Sequence, residues 1–314
     1  MAVSQDQLFR ILKEHYIMDL SQKEIARMEK LSTATISRLI KDAKEQGYVR
    51  IELNLPDNSM PDLEKRICKR YGIRLASVSR VEVDDQNIII RDVAQPFSDY
   101  LNTIMKAGDI IGLSWGRTLS AVAQNLRTQE SREVAFVSMS GGVSMDVSSV
   151  GVEQTVRSFA NAYNAQGFSF PLPVYLANEA LVEAIMEDKQ FSELFDMIRQ
   201  ARIAVFSVGP ISIRSLLFES GYHSHEEMQE LARRGFVGDI CGRLFKADGS
   251  YDESQEMNRS IGITLEELKK KSNKLCIVTD PGRAEALHGA LLGGFIDCLF
   301  TDELTARALL KAGK

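Results

Sequence analysis

Residues 109–127 read DIIGLSWGRTLSAVAQNLR, and the fold class can be worked out from this stretch. The residues from Asp109 to Ser114 form a short apolar run, which is typical of a strand buried on both faces. A turn containing Gly116 follows, and the apolar spacing at about residues 117–127 then predicts a helix. A buried strand, a glycine turn and a helix together make one unit of an α/β fold.

The same order of strand and helix continues on both sides of this stretch. Further strands are predicted at Leu75–Val81, Val134–Ser138, Ile203–Val208, Gly238–Phe245, Leu275–Thr279 and Cys298–Phe300. Helical patterns are predicted at about residues 85–106, 152–166, 179–201, 213–219, 225–234, 264–272, 283–292 and 303–311. This alternation implies a mostly parallel sheet with helices on both faces, a Rossmann-like α/β fold.

The composition is that of a globular chain with more than one domain. A length of 314 residues suggests about two domains. Apolar residues make up 44% and charged residues 26% of the chain, which disfavours disordered and collagen-like classes. No apolar run approaches the ~20 residues that a membrane-spanning helix needs, and the amino terminus MAVSQDQLFR lacks the order of a signal peptide. We therefore expect a cytoplasmic protein with no membrane contact.

Several classes of cofactor are disfavoured by motifs that the sequence lacks. The four cysteines, Cys68, Cys241, Cys276 and Cys298, are far apart and form no C-x-x-C pair, which disfavours a zinc site. The phosphate-loop spacing G-x-x-x-x-G-K-[ST] and the dinucleotide spacing G-x-G-x-x-G are both absent, which disfavours nucleotide hydrolysis and dinucleotide binding. We expect no metal and no cofactor.

The first 50 residues carry the capping signals of three helices. A first amphipathic helix is expected at about residues 5–17. Ser21 and Glu24 have the spacing of a capping box, which would open a short second helix. Ser32 can cap a longer third helix, and Gly47 can end it in a left-handed conformation. A short helix, a turn of about three residues and a longer capped helix make a helix-turn-helix.

The third helix would present a polar and basic face opposite its apolar stripe. Residues 30–50 hold five basic and two acidic side chains, although the whole chain has a net charge of −5. Side chains in the first two turns of such a helix reach base edges in the major groove, and lysines beyond them contact phosphate. The alternative is a three-helix packing unit whose solvated face happens to be basic. The predicted DNA-binding residues are Thr33, Ala34, Thr35, Ser37, Arg38, Lys41 and Lys44.

A linker separates this module from the α/β part of the chain. Residues Tyr48–Leu53 alternate in the manner of a small wing or a connecting strand. The following stretch, NLPDNSMPD at residues 54–62, contains two prolines and a cluster of turn formers. A new helical pattern begins at Leu63. These signals divide the chain into a helix-turn-helix domain at residues 1–55 and a ligand-binding domain at residues 56–314.

Glycine turns follow several of the predicted strands, where ligands of open α/β sheets bind. Backbone N–H groups at the start of a helix attract anions, so the joint occurrence of these turns favours a phosphorylated ligand. The alternative for each turn is that glycine serves backbone geometry alone. The residues predicted to bind the ligand in these turns are Ser114, Gly116, Arg117, Thr118, Gly141, Gly142, Gly209 and Arg283.

Asp239 is a further candidate, because it is a carboxylate among the apolar residues of Gly238-Asp239-Ile240-Cys241-Gly242. In that position it is suited to accept hydrogen bonds from sugar hydroxyls. A turn aspartate that bonds to its own backbone is equally consistent with the local sequence.

The motifs also occur in an order that resembles one family. They read SQKEIAR, STATISRLIKDAKEQGYVRI, GLSWGRTL, SMSGGVS, FPLPVYLAN, SVGP, GDICGRLFKADG, TDPGRAEAL and FTDELTARALL. As a set, this series resembles the SorC family of bacterial sugar-responsive transcriptional regulators, and the resemblance covers nearly the whole chain.

The resemblance implies an effector-binding domain similar in fold to phosphosugar isomerases and glucosamine-6-phosphate deaminases. It also implies a homo-oligomer, usually a tetramer, that the ligand reorganises. By the same resemblance, Gly116, Arg117 and Thr118 belong to a phosphate loop, and Asp239 accepts sugar hydroxyls. Arg283 stands where many relatives have Lys, which keeps the positive charge but changes the donor geometry.

Two functions from different classes are consistent with this sequence. One is a regulator of a carbohydrate-utilisation operon, in which a sugar or sugar phosphate modulates the affinity for operator DNA. The other is an isomerase or deaminase with a DNA-binding extension. Such catalysis needs an acid/base pair near the sugar carbonyl, and Asp239 has no evident His or Glu partner in the glycine turns. The sequence therefore favours the regulator over the enzyme.

Overall fold

The chain divides into two compact units, Met1–Asp57 and Asn58–Lys314. In this computed structural model the described residues are 3–49, 58–126, 133–142, 151–213, 215–252 and 259–313. The first unit is built from helices, and the second combines helices with two sheets.

The first unit has the three helices that the capping signals predict. They are α1 (Gln5–Tyr16), α2 (Gln22–Met28) and α3 (Thr33–Glu45). Ser21 and Glu24 form the complete capping box, and the Ser32 hydroxyl accepts a hydrogen bond from the Thr35 amide. The residues that meet in the core of this unit are Ile11, Leu12, Ile25, Ala26, Ile36, Ile40 and Ala43.

The segment between the two units departs in part from prediction. Tyr48 and Val49 belong to no strand, and the rest of the predicted strand Tyr48–Leu53 lies outside the described residues. The predicted linker at residues 54–62 ends earlier than expected, because Pro61 already begins a helix. Proline suits this first helical position, since its missing N–H would have no partner there.

The second unit contains the predicted parallel sheet. Its strands, with those of a smaller sheet, are β1 (Leu75–Ser79), β2 (Ile110–Leu113), β3 (Ala135–Ser138), β4 (Gln166–Phe168), β5 (Ile203–Phe206), β6 (Gly209–Pro210), β7 (Phe236–Ile240), β8 (Arg243–Lys246), β9 (Asn273–Val278) and β10 (Cys298–Asp302). Within the described residues, seven strands pair in the order β1-β10-β9-β5-β2-β3-β4, and every pair is parallel.

Helices cover both faces of this sheet, as the alternation of elements predicts. They are α4 (Pro61–Tyr71), α5 (Gln86–Ile104), α6 (Arg117–Asn125), α7 (Val152–Ala162), α8 (Glu179–Glu187), α9 (Lys189–Gln200), α10 (Leu216–Glu219), α11 (His225–Arg233), α12 (Leu265–Lys269), α13 (Ala284–Leu292) and α14 (Glu303–Leu309). Along β5, Ile203 and Val205 pack with α5, α6 and α7, whereas Ala204 and Phe206 pack with α4, α9, α13 and α14. This alternation buries both faces of the strand.

The strand predicted at Gly238–Phe245 is wrong as a single element. The chain turns back at Cys241 and Gly242, so that β7 and β8 form an antiparallel hairpin that also pairs with β6. Both turn residues have positive φ, 54° at Cys241 and 77° at Gly242. Two such residues favour the tight hairpin turn that joins adjacent antiparallel strands. The apolar run hid this turn, because its first residue is cysteine rather than asparagine or glycine.

Two smaller differences concern the elements before β5. The helix predicted at residues 179–201 is broken at Asp188, whose carboxylate accepts a hydrogen bond from the Gln190 amide and so opens α9. The edge strand β4 has no counterpart among the predicted strands. Its three residues are exposed, so it lacks the apolar run by which the other strands were identified.

The order of the strands sets where a ligand site is expected. After β2, the chain adds β3 and β4 on one side and then returns to place β5 on the other side of β2. The loops that follow β2 and β5 therefore leave a crevice at the carboxyl edge of the sheet, which is the usual ligand site of such folds.

Replacing Ile36 with Ala should loosen the first unit. Ile36 is fully buried at the centre of the three helices, and a substitution of this kind costs about 2–5 kcal/mol. Hydrogen exchange of the α3 amides in the full chain should report a smaller free energy of opening. Ile17→Ala is the control, because Ile17 is 77% exposed. Equal exchange in the two variants would contradict the placement of Ile36 in the core.

Candidate functional site

A cavity lies at the carboxyl ends of β2 and β5, at the crevice that the strand order predicts. Its walls come from the turn before α6, from the β5–β6 connection, from α10 and its preceding serine, from the β7–β8 hairpin and from the start of α13. The lining residues are Ser114, Trp115, Gly116, Arg117, Thr118, Ser207, Val208, Gly209, Pro210, Ser215, Leu216, Leu217, Asp239, Cys241, Gly242 and Arg283.

The structure brings together most of the residues that the sequence analysis singled out for ligand binding. Those that line the cavity are Ser114, Gly116, Arg117, Thr118, Gly209, Asp239 and Arg283. Gly141 and Gly142 follow β3 but are not part of this lining. A Cβ atom on Gly141 would stand 2.5 Å from the Pro173 carbonyl oxygen, so glycine is needed there for close backbone packing.

The amino terminus of α6 lies at the cavity without a side-chain cap. Gly116 is the N-cap residue, and no side chain caps this helix. Its φ of 130° is a conformation that other residues rarely adopt. The first amides of a helix have no partner within it, and the helix dipole adds partial positive charge at this end. This end of α6 therefore favours an anion.

Ser114 stands just before this turn and has an unusual hydroxyl. The residue is 4% exposed, and in the described structure its Oγ has no hydrogen-bond partner. Its backbone is fixed, because the Ser114 amide donates to the Val205 carbonyl oxygen at 2.9 Å. A buried hydroxyl without a partner is costly, so a ligand oxygen in the cavity would satisfy it.

Arg283 reaches the same region from the far side of β5. Its Nη1 lies 3.1 Å from the Val208 carbonyl oxygen and 3.4 Å from the hydroxyls of Thr118 and Ser207. The Nε atom lies 3.5 Å from the Asp280 carboxylate. The side chain is 19% exposed, so a guanidinium charge is held mostly out of water beside the two hydroxyls. Charged donors in such settings bind phosphate strongly.

Arg117 lines the cavity, but its guanidinium already has an acidic partner within the protein. Its Nη2 forms an ion pair with the Glu219 carboxylate at the end of α10. Both side chains remain partly exposed, 48% for Arg117 and 38% for Glu219. The predicted phosphate-loop arginine is therefore already paired with an acidic side chain.

Asp239 lies on β7, opposite Gly209 of β6, rather than at the end of a parallel strand. Its Oδ2 accepts a hydrogen bond of 3.0 Å from the Gly242 amide. Burial raises the pKa of Asp239 to about 6, although the Gly242 hydrogen bond and the Arg283 charge both act to lower it. A Cβ atom on Gly209 would collide with the Asp239 carboxylate, so any other residue there would displace this carboxylate.

Sequence reasoning missed several lining residues, for reasons that differ between them. Ser207 follows β5 directly, so the strand-end rule that found Gly209 applies to it as well. Cys241 belongs to the hairpin turn that the sequence concealed. Leu216 and Leu217 are on α10, which follows the small sheet, and no local signal places that helix at the cavity.

The titratable groups of the cavity do not form an acid/base pair of the isomerase kind. Among the lining residues these groups are Arg117, Asp239, Cys241 and Arg283, with no His or Glu. Burial raises the pKa of the Cys241 thiol to about 12. Such a thiol stays protonated at neutral pH and is a poor nucleophile.

The predicted DNA-binding face of α3 is mostly open to solvent. The exposed members are Thr33, Ala34, Ser37, Arg38, Lys41 and Lys44. Thr35 is half-buried, and its hydroxyl lies 2.8 Å from the Ser32 hydroxyl within the helix cap. Lys41 lies 3.7 Å from the Glu45 carboxylate, and both side chains are exposed, so this pair holds the lysine only weakly.

The described part of the chain has neither a membrane span nor a cluster of metal ligands. No helix there is long and apolar enough to cross a membrane. No three side chains of the kinds His, Cys, Asp and Glu are grouped there so that they could hold a metal ion.

Comparison with known proteins gives the same picture over nearly the full length. Residues 57–311 match the family model described as "Putative sugar-binding domain". The deoxyribonucleoside regulator of Bacillus subtilis is 33% identical over 94% of this chain and 94% of its own. The sorbitol operon regulator of Klebsiella pneumoniae is 28% identical over 97% of each chain.

A solved structure extends this likeness to both units of the chain. The crystal structure of the full-length sorbitol operon regulator SorC from Klebsiella pneumoniae aligns with a TM-score of 0.73 and 28% identity, covering 98% of this chain and 100% of that one. These relatives are named as regulators and not as isomerases or deaminases, and a further relative, LsrR of Klebsiella pneumoniae, is named as a transcriptional regulator. The chain is therefore a transcriptional regulator and belongs to the SorC family of sugar-binding regulators.

Proposed function

We propose that the cavity binds a sugar phosphate and that this ligand modulates the affinity of the protein for operator DNA. In this proposal residues 56–314 form the effector-binding domain, and residues 1–55 form the helix-turn-helix domain that contacts the operator. The protein acts in the cytoplasm, where operator DNA is found.

The unpartnered Ser114 hydroxyl is the observation that carries the phosphate part of this proposal. It is buried at the cavity next to the uncapped end of α6. Thr118 and Arg283 reach the same place, with 3.4 Å between the Thr118 hydroxyl and the Arg283 guanidinium. Backbone amides, two hydroxyls and a guanidinium form a donor set that matches the oxygens of a phosphate group.

Asp239 supplies the complementary group for the sugar. Its carboxylate is an acceptor among the lining residues, and the side chain is partly exposed. Sugar hydroxyls donate hydrogen bonds, and a carboxylate has four lone-pair positions that can accept them. Donors from one set of elements and an acceptor from β7 would orient a ligand that has a phosphate at one end and hydroxyls at the other.

The exposed face of α3 is the proposed contact with DNA. Arg38 is the best placed to read a base, because it is exposed in the second turn of this helix. Ser37 and the threonines of the first turn lie beside it. Lys41 and Lys44 are further along the helix and suit contacts with phosphate.

Regulation requires the protein to be an oligomer in this proposal. A helix-turn-helix protein reads a repeated operator with two recognition helices at a fixed spacing, which a symmetric homo-oligomer supplies. The effector changes DNA affinity only if it binds one arrangement of the oligomer more tightly than another. Couplings of this kind are typically about 1–3 kcal/mol.

Replacing Arg38 with Ala should weaken operator binding sharply. A well-placed arginine contact to a base contributes about 1–3 kcal/mol of discrimination. Gel-shift titration at fixed salt should show this loss with the operator and a smaller loss with unrelated DNA. Lys13→Ala is the control. It also removes one positive charge from the first unit, but Lys13 is on α1 and not on the predicted DNA-binding face of α3. Unchanged operator affinity in Arg38→Ala would contradict this placement.

Replacing Ser114 with Ala should weaken the binding of a sugar phosphate without weakening the fold. A hydrogen bond to a charged group contributes about 1.5–3 kcal/mol, and in the described structure this hydroxyl has no partner to lose. Calorimetry with a panel of hexose and pentose phosphates provides the measurement. Ser98→Ala is the matched control, since Ser98 is a buried serine on α5. Equal affinities in the two variants would remove Ser114 from the site, and no binding by the wild type would refute a phosphate site.

Replacing Asp239 with Asn should change how stability depends on pH. The pKa of Asp239 is raised from 3.8 to about 6 in the folded chain. Between these two pH values the Asp239 carboxyl is ionised in the unfolded chain but still protonated in the folded chain. The free energy of unfolding of the wild type therefore falls as pH rises through this range. Relative to wild type, the free energy of unfolding of Asp239→Asn should rise by about 1–3 kcal/mol from pH 4 to pH 7. Urea titrations without effector measure it, and the same difference at both pH values would contradict the burial of this carboxyl.

A further inference from the structure

The ion pair between Arg117 and Glu219 joins two parts of the cavity wall that are far apart in sequence. Arg117 is the first residue of α6, at the helix end that favours an anion. Glu219 is the last residue of α10, and Leu216 and Leu217 of the same helix line the cavity. A carboxylate of the protein is thus held at the mouth of the site proposed for a phosphate.

The position of Glu219 matters because a carboxylate and a phosphate compete for the same donor. The carboxylate is planar and the phosphate is tetrahedral, but a guanidinium can bind two oxygens of either one through parallel N–H donors. Glu219 is covalently attached to α10, so its effective concentration at Arg117 is high whenever α10 is in place. An incoming anion must either displace this carboxylate or bind beside its negative charge.

Displacement is favoured by the charges at this wall. Bound beside Glu219, a phosphate would lie next to a second negative charge at the same arginine. The lining helix α10 is short, at four residues, and Glu219 ties its end to α6.

The packing of α10 indicates where such a movement would be transmitted. Leu217 is buried, and Phe218 packs against Met228, Leu231 and Phe236 in a cluster that joins α11 to the small sheet. Asp239 lies on β7 of this same sheet. Release of Glu219 would therefore loosen a wall that is connected to the sugar-binding side of the cavity.

We propose that Glu219 is a built-in competitor of the effector's anionic group, which exchanges for phosphate at Arg117 and thereby sets the affinity of the site. This inference rests on the proposed function, since it concerns the same cavity. It assigns Glu219 a role in tuning affinity and assigns the ligand an anionic group strong enough to replace a carboxylate.

The expected size of the effect follows from the exposure of the pair. Partly exposed ion pairs contribute up to about 1 kcal/mol, so removing the competing carboxylate of Glu219 strengthens anion binding by up to about fivefold. Removing the repulsion between Glu219 and phosphate adds to this effect. We therefore expect Glu219→Gln to bind anions about three- to tenfold more tightly than the wild type, with a smaller difference at high salt.

The test uses the full-length protein with inorganic phosphate as the first probe and glucose 6-phosphate as the second. Calorimetry or protection against thermal unfolding measures affinity in the wild type, in Glu219→Gln and in Glu226→Gln. Glu226 is a matched control, because it is an exposed glutamate at the start of α11 and is not part of the cavity lining. Repeating the series in Arg117→Ala shows whether the gain depends on this arginine.

Tighter phosphate binding in Glu219→Gln, but not in Glu226→Gln and not in the Arg117→Ala background, supports the proposal. If the wild type binds phosphate and Glu219→Gln binds it equally well or more weakly, Glu219 is no competitor and the inference fails while the proposed function stands. If neither protein binds phosphate or glucose 6-phosphate while both melt like folded proteins, the phosphate site itself is refuted. A gain that persists in the Arg117→Ala background refutes exchange at Arg117.

Discussion

The parallel pairing of β2 with β5 is the contact on which the site depends. Leu113 lies opposite Val205 in this pair, and the Ser114 amide continues the ladder to the Val205 carbonyl oxygen. Two turns that are about ninety residues apart in the chain are thereby set side by side at one edge of the sheet. Because β9 pairs with the other side of β5, the turn after β9 brings Arg283 to the same edge. Each of these strands is buried, so the hydrophobic core holds the polar groups of the site in position.

The small antiparallel sheet adds what the parallel sheet cannot supply. Strand β6 is only two residues long and begins at Gly209, directly after the loop that leaves β5. Its pairing with β7 brings the Asp239 carboxylate so close to Gly209 that a Cβ atom there would displace it. The glycine thus serves backbone geometry, and through that geometry it places the acceptor group of the cavity. The two interpretations of this glycine, structural and functional, are compatible at this position.

Sequence predicts the residues of the site that follow parallel strands, but not those that tertiary packing brings to the cavity. Ser114, Thr118 and Arg283 could be predicted because apolar runs identify the strands and ligands bind where parallel strands end. Gly141 and Gly142 satisfy the same rule but do not line the cavity, because their strand lies beyond β2 and their turn packs against neighbouring backbone. The apolar pattern predicts one strand where the hairpin at Cys241 lies, since neither the composition nor the period of the sequence changes at the turn. Tertiary packing against the small sheet places Glu219 and the leucines of α10 near the cavity, and the local sequence gives no signal of that packing.

The charged side chains around the cavity are already paired within the protein. Arg117 is paired with Glu219, and Arg283 lies within 3.5 Å of Asp280, so each guanidinium already has a carboxylate near it. In the proposed site an anionic ligand would exchange one ion pair of Arg117 for another, so the net gain in free energy would be smaller than the new contacts alone would give. Glu219 and the helix α10 that carries it would then change their surroundings. A ligand that bound both arrangements of the protein equally tightly would leave their populations unchanged. A regulator therefore needs a ligand whose affinity differs between the two states.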